Sequence, residues 1–412
     1  MKKTFLALLL AVIMILGMCP ALAEEPTTVT FVSNNLGYEN LLQEYIDQWN
    51  AANPDLQVEL YVASGSPDEY WTQLSTAIAG GNAYDIYMMS PSYFQTYIDN
   101  GLCYPLDAWF EGSEGWYDYA LADVTRNEGH IWAYPAFNDL MAIYVNVDML
   151  KECGIEELPS TYDEFITAAS TVANELGVYG FQTSITFEGY GQFEWYPVMW
   201  GAGGDLLTGE EVITNKEGVV KALQFWRDMA NSEGGCLDMA CSADYFINEL
   251  VCMMPIGQWM LNDINKNADQ IDFEWTVIPY PVPEEGDTPY TVMGGWKYCV
   301  YPKGKNPDRC ADFLKWLLDE SDFQGVAAEY FLKWAPKQSV VESLPFYDEG
   351  GMKLFKDNII ANTNKGMEPA YDSLQLQVIG DALNAALYDT SISCEQLVDT
   401  METELNALKA AQ

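Results

Sequence analysis

The chain has 412 residues, 49% of them hydrophobic and 19% charged, the make-up of a packed globular protein, and its length points to two domains. Its formal net charge of −42 repels phosphate backbones and anionic lipid headgroups, which argues against a nucleic-acid partner or a membrane-surface role and disfavours an anionic ligand. The plain reading of so much acid is solubility in an external medium.

The N-terminus sets the compartment. Lys2 and Lys3 precede an apolar run, Phe5 to Met18, and a small-residue site ending at Ala23, the pattern of a removed signal peptide over residues 1–23. The run is about 14 residues, short of the ~20 that a spanning helix needs. Losing the two lysines takes the net charge from −42 to −44. The stretch Leu16-Gly17-Met18-Cys19 resembles a lipoprotein box, which makes Cys19 a lipid-attachment candidate, although Met18 and Pro20 are poor neighbours for that processing. Nothing after Ala23 is long and apolar enough to cross a bilayer. The expected location is therefore extracellular or in the cell envelope, secreted or lipid-anchored.

"TVTFVSNN" (28–35) reads as a buried strand. "YENLLQEYIDQWNAANP" follows, with apolar residues at 41, 42, 45, 46 and 49 on one helical face. Pro54 ends it and "LQVELYVAS" (56–64) is the next strand, so the opening unit is strand, helix, strand: the parallel crossover of an α/β sheet. A helix, "EYWTQLSTAIAGG", and a strand, "YDIYMMS", extend it. Ligands of such sheets sit beyond the carboxyl ends of the strands, where Asn34, Ser64, Asp85 and Ser90 lie.

After "GHIWAYPAFNDLMAIYVNVDML" the pattern turns to amphipathic helices, "TYDEFITAASTVANELG" and "KEGVVKALQFWRDMANS". The first has a cap in Ser160 or Thr161, with Glu164 completing it. Strands return over 273–304 around a Pro- and acid-rich loop. The helices "PDRCADFLKWLLDES", "SLQLQVIGDALNAAL" and "CEQLVDTMETELNALKAA" close the chain. No fixed-period repeat is visible.

Eight cysteines follow the signal, at 103, 153, 236, 241, 252, 299, 310 and 394. Cys236 and Cys241 are spaced to bridge a short loop in an oxidising exterior, with free buried thiols as the alternative. His130 is the single histidine and there is no Cys-x-x-Cys, which speaks against a zinc site.

Seven segments in order resemble the extracellular solute-binding proteins of ABC importers, the sugar-binding group related to maltose-binding protein. They are "LLQEYIDQWNAANPDLQVEL", "AGGNAYDIYMMS", "NGLCYPLD", "GHIWAYPAFNDLMAIYVNVDMLKECGIEELPSTYDEF", "WGAGGDLL", "MMPIGQW" and "FLKWAPKQSV". The resemblance covers nearly the whole mature chain. It implies an α/β, two-lobed, type II periplasmic-binding-protein-like fold, each lobe an open sheet flanked by helices. The N-terminal lobe would be 24–137 plus 291–340 and the C-terminal lobe 138–290 plus 341–412. Three hinge crossings would join them, near 136–141, 287–291 and 340–345.

The same resemblance places Trp259 of "GQW" in the ligand cleft as a platform for a sugar ring, and adds Phe193, Trp195 and Tyr196, with Trp200 behind them. Asp139 matches the position of a sugar-binding carboxylate in a relative; its alternative is a cap or hinge hydrogen bond. By position on loops and returning strands, Asn35, Tyr38, Ser90, Tyr93, Trp296 and Trp334 join the ligand-binding set. Asp85 does so with turn capping as the alternative. Trp49, Trp226 and Trp316 sit at helical spacing and are expected in the core, and Lys333 reads as ordinary surface. "MSPSYF" (89–94) departs from the maltose binder, lacking its charged sugar contacts, so the sugar's identity does not carry over.

The implied function is capture of a small-molecule carbohydrate, a neutral sugar or oligosaccharide, and its delivery to ABC transporter permease subunits by hinge closure. The chain would act as a monomer, without cofactor, metal or catalysis. The alternative is a secreted carbohydrate-active hydrolase using paired carboxylates. The chain has no Gly-x-Ser-x-Gly, His-Glu-x-x-His or Gly-x-x-x-x-Gly-Lys motif, which weighs against an enzyme.

Overall fold

The structure is a computed structural model that describes residues 26–34, 37–63, 67–183, 191–208, 211–232, 237–238, 242–366 and 373–411. The signal peptide, Cys19, Asn35, Cys236 and Cys241 lie outside the described residues. Two compact units are present, one built from 1–86 with 303–310 and the other from 87–302 with 311–412.

In the first unit β1 (Thr27–Asn34) pairs in parallel with β2 (Leu56–Ala63) along their whole length, joined by helix α1 (Glu39–Ala52). Leu42, Tyr45, Ile46 and Trp49 bury the helix face that the spacing marks, and Asn53 closes its end ahead of Pro54. Helix α2 (Pro67–Ala79) follows, burying Tyr70 and Leu74. Asp85 is buried: one carboxylate oxygen accepts from the backbone N–H and hydroxyl of Thr30, at 2.7 and 2.9 Å, and the other accepts from the Lys305 N–H. It ties the returning segment 303–310 to β1.

The second unit contains β3 (Ile86–Met89, shared across the division), α3 (Pro91–Asp99), α4 (Asp118–Val124) and a seven-stranded mixed sheet. The sheet's spine is β4 (Asp139–Asn146). On one side β4 runs antiparallel to β6 (Val251–Gly257), which pairs in parallel with β5 (Tyr179–Gln182). On the other side it meets β7 (Trp275–Ile278) and β8 (Tyr290–Gly294), both antiparallel. Leu140, Ala142 and Tyr144 of β4 enter one apolar cluster while Met141, Ile143 and Val145 enter another. A strand buried on both faces is a continuous apolar run, as "LMAIYV" is. Pro255 is tolerated inside β6 because pairing with β5 has ended by Met253.

Helices α5 (Tyr162–Leu176) and α6 (Lys216–Ala230) cover one face. Thr161 caps α5 with a full capping box: its hydroxyl accepts from Glu164 N–H, and the Glu164 carboxylate accepts from the N–H groups of Ser160 and Thr161. Those bonds hold the Glu164 carboxyl below its ordinary range. Trp49 and Trp226 are core, as their spacing says; Trp316, at the start of a π-helical turn over 316–320, is only half-buried. Among the described residues no helix is long and apolar enough to cross a membrane.

Candidate functional site

Asp139 opens β4, opposite Gly294 in the sheet register. The residue before it, Asn138, makes a two-way backbone bridge with Trp334: Asn138 N–H donates to the Trp334 carbonyl at 2.9 Å and Trp334 N–H returns a bond at 3.2 Å. This places Lys333 beside Asp139. The Gln258 N–H donates to the Leu140 carbonyl at 3.0 Å, and its side-chain amide to the Asn138 carbonyl at 3.2 Å, which seats the turn after β6 against the same edge. Trp259, the next residue, immediately precedes the short helix α7 (Met260–Lys266).

Three side chains from three separate segments therefore converge. Lys333 donates to the Asp139 carboxylate in an ion pair whose two side chains are 16% and 17% exposed. The same ammonium lies over the Trp259 ring, 5.2 Å from its centroid, a cation–π distance. Trp259 is half-buried, its inner part packed on the core that also receives Phe193.

Two glycines permit this approach. A Cβ on Gly257 would stand 1.9 Å from the six-membered ring of Trp259, and one on Gly295 would stand 1.7 Å from the Phe137 carbonyl oxygen. Lys333 is itself held from behind. Leu332 takes a left-handed backbone (φ +51°) after the helix α8 (Phe323–Phe331). Tyr347 donates to the Lys333 carbonyl and accepts from the Ala335 N–H, each at 2.9 Å. Burial pushes the Tyr347 hydroxyl's pKa well up, so it stays a donor at any physiological pH.

The remaining expected positions are distributed differently. Trp296 is half-buried near the group: its carbonyl accepts from Ala136 N–H at 2.9 Å, on the approach to Asp139. Trp334 packs into the core edge-on to Tyr347, with centroids 4.8 Å apart. Trp195 and Tyr196 are fully buried in the larger core cluster, and Trp200 packs beside them with its indole N–H on Asp205 at 2.9 Å. The Trp195 and Tyr196 rings present no solvent-facing surface. Tyr38 is buried too, its hydroxyl 3.4 Å from that of Ser33. Ser90 is half-buried at the end of β3 and Tyr93 is exposed on α3. Asp85 spends its oxygens on internal bonds. The residue that sequence reasoning missed is Lys333, which is ion-paired and shielded where ordinary surface was expected.

Among the described residues no group of three or more His, Cys, Asp or Glu is arranged to hold a metal ion.

In structure, the chain is similar to the GacH receptor of Streptomyces glaucescens, determined unliganded and with acarbose (22% identical, TM-score 0.76, covering 93% of this chain and 98% of that one). It is similar to maltose-bound MalE3 of T. maritima (21%, 0.74, 93% and 100%) and to UgpB of Mycobacterium tuberculosis in complex with glycerophosphocholine (17%, 0.77, 93% and 99%). These likenesses establish the fold, the α/β architecture of periplasmic-type binding proteins with helices flanking the sheets. In sequence, it is 25% identical over 282 residues to a protein of Deinococcus radiodurans described as an ABC transporter-binding protein, spanning 63% of this chain and 64% of that one. A binding protein of Brucella abortus is 21% identical over 248 residues, 58% of this chain and 59% of its own length. The family profile described as bacterial extracellular solute-binding protein matches residues 44–352, most of the sequence, and the chain belongs to that family.

Proposed function

We propose that the chain captures a neutral sugar or oligosaccharide on the Trp259 ring, beside Asp139 and Lys333, and delivers it to the permease subunits of an ABC importer. The observation that carries this reading is the half-buried Trp259 with one carboxylate and one ammonium at its side. A pyranose has apolar CH faces and a hydroxyl rim. Its face can lie on the indole while one hydroxyl donates to Asp139 and another accepts from Lys333, and hydrogen bonds to charged groups are the stronger kind. The two charges cancel, which suits an uncharged ligand.

Burying roughly 100 Å² of sugar face gives about 2.5 kcal/mol at ~25 cal/mol/Å². A micromolar affinity needs about 8 kcal/mol, so the polar partners and further apolar contacts must supply the larger share. The acarbose and maltose complexes of GacH and MalE3 support the choice of ligand class. Closure of the two expected lobes, 24–137 plus 291–340 and 138–290 plus 341–412, belongs to the same proposal: a ligand that touches both lobes only when they are shut favours the shut state by its differential affinity.

Titration with mono- and oligosaccharides, following tryptophan fluorescence and product together, tests the reading. A saturable shift without turnover supports it. Consumption of the sugar would move the chain to the hydrolase alternative, and silence towards every sugar would overturn the proposal.

One observation favours a second reading. The site already holds an ammonium group, that of Lys333, on a carboxylate and over an indole, and an ammonium-bearing ligand could take its place. The glycerophosphocholine complex of UgpB makes choline-type compounds the arm to include in the same titration. Binding of these with no response to sugars selects this second reading.

A further inference from the structure

Cys103 and Cys299 are both buried, and both carry free thiols. Cys299 lies on β9 (Lys297–Val300), and the segment holding Cys103 runs alongside it: the Tyr104 N–H donates to the Val300 carbonyl at 2.9 Å, one residue beyond each cysteine. Tyr87 of β3 stands over the two. Its hydroxyl donates to the Leu102 carbonyl at 2.7 Å and lies 3.3 Å from Cys103 Sγ, while the Cys299 thiol interacts with both the Cys103 thiol and the same hydroxyl. Other described cysteines are placed differently. Cys252 and Cys310 each donate to a backbone carbonyl, those of Asn146 and Lys305, at 3.6 and 3.5 Å.

Two thiols that interact directly and share one hydroxyl, on segments joined by a backbone hydrogen bond one residue beyond each, stand within side-chain reach of one another, which is the first requirement for a disulfide. The family works outside the cell, where disulfides form and persist. Burial pushes the Cys299 thiol's pKa up, which makes it a poor nucleophile in the finished fold. Oxidation therefore belongs to folding, before the cluster closes.

We propose that Cys103 and Cys299 are a modification site: a dithiol that becomes a disulfide when the exported chain folds in the presence of a small-molecule or protein disulfide. The Cys103 thiolate attacks the oxidant's S–S bond, forming a mixed disulfide and releasing one thiol. The Cys299 thiolate then attacks the Cys103 sulfur and releases the second. The two cysteines are oxidised, the oxidant's disulfide is reduced to two thiols, and those thiols take up the two protons. The bond would staple the segment after α3 to β9.

The test is to refold the full chain in a mixture of oxidised and reduced glutathione, block remaining thiols with iodoacetamide, digest without reductant and map the peptides by mass. The expected result is a Cys103–Cys299 linked peptide, lighter by two hydrogens than its reduced halves, and a melting temperature that dithiothreitol lowers. In Cys103→Ser/Cys299→Ser that lowering shrinks or disappears. Alkylation of both cysteines in the refolded chain, or linkage of either one to a different cysteine, overturns the proposal. Should the double variant fail to fold, the peptide map of the unaltered chain decides alone.

Discussion

Lys297 and Lys333 make the same three-part contact in two different settings. Lys297 pairs with Asp123 of α4 at 2.5 Å and lies over the Phe94 ring at 5.0 Å, with the two side chains 0% and 5% exposed. Lys333 pairs with Asp139 and lies over Trp259, with water reaching both partners. The sealed pair can only hold elements together. Burial even pulls the Lys297 ammonium below the usual lysine range, and Asp123 pulls it back. The wetted pair is ordered yet reachable, so a solute can compete for its hydrogen bonds. Chemical type is equal in the two; access separates architecture from the proposed binding site.

Five single substitutions break or sharpen that contrast. Lys297→Met leaves Asp123 charged and buried without a partner, and should lower unfolding free energy by about 3–5 kcal/mol. Urea titration measures it, and Lys297→Met/Asp123→Leu should recover most of the loss; equal loss in the double variant would mean that packing, not charge, is at stake. Trp259→Ala should leave the fold intact and weaken sugar binding by about 2 kcal/mol, roughly thirtyfold. Unchanged affinity removes Trp259 from the site.

Lys333→Met should cost about 1.5 kcal/mol of neutral-sugar affinity, the scale of one hydrogen bond to a charged group. Tighter binding of a choline-type ligand in that variant would favour the second reading. The smallest effect belongs to an exposed charge held by two backbone N–H groups and the Ser160 hydroxyl. Thr161→Ala should cost about 1 kcal/mol of stability through loss of the cap. Because the Glu164 pKa is depressed in the folded chain, its contribution is complete above the unfolded value near ~4.3 and fades as pH falls through the lower folded one. In Glu164→Gln, stability should therefore decline less steeply with acid, as urea midpoints at stepped pH will show.

The parts of this molecule that obey local rules are legible in the sequence. The face Leu42, Tyr45, Ile46 and Trp49, the cap at Thr161 with Glu164, and the turn that lifts Trp259 off β6 are all written within a few residues. Lys333 could not be read this way, because its role depends on a bridge between Asn138 and Trp334, and its partner Asp139 is 194 positions away. "FEWYPVMWGAGG" is hard to read for a different reason. Its helix, Gly191–Gly201, is apolar nearly all round, so spacing does not say which aromatics face out, and Trp195 and Tyr196 went inward. Asp85 shows the same ambiguity in a charged residue: a carboxylate beside a strand can greet a ligand or tether a neighbouring loop, and Asp85, just before the amino end of β3, tethers.

Gly257 carries a consequence for anyone surveying variants. With an indole lying where its first side-chain carbon would go, even alanine must evict the ring or bend the strand end. A change there would erase the tryptophan's influence while its codon stays untouched, and a screen scoring only residues in reach of a solute would overlook the position that silences it.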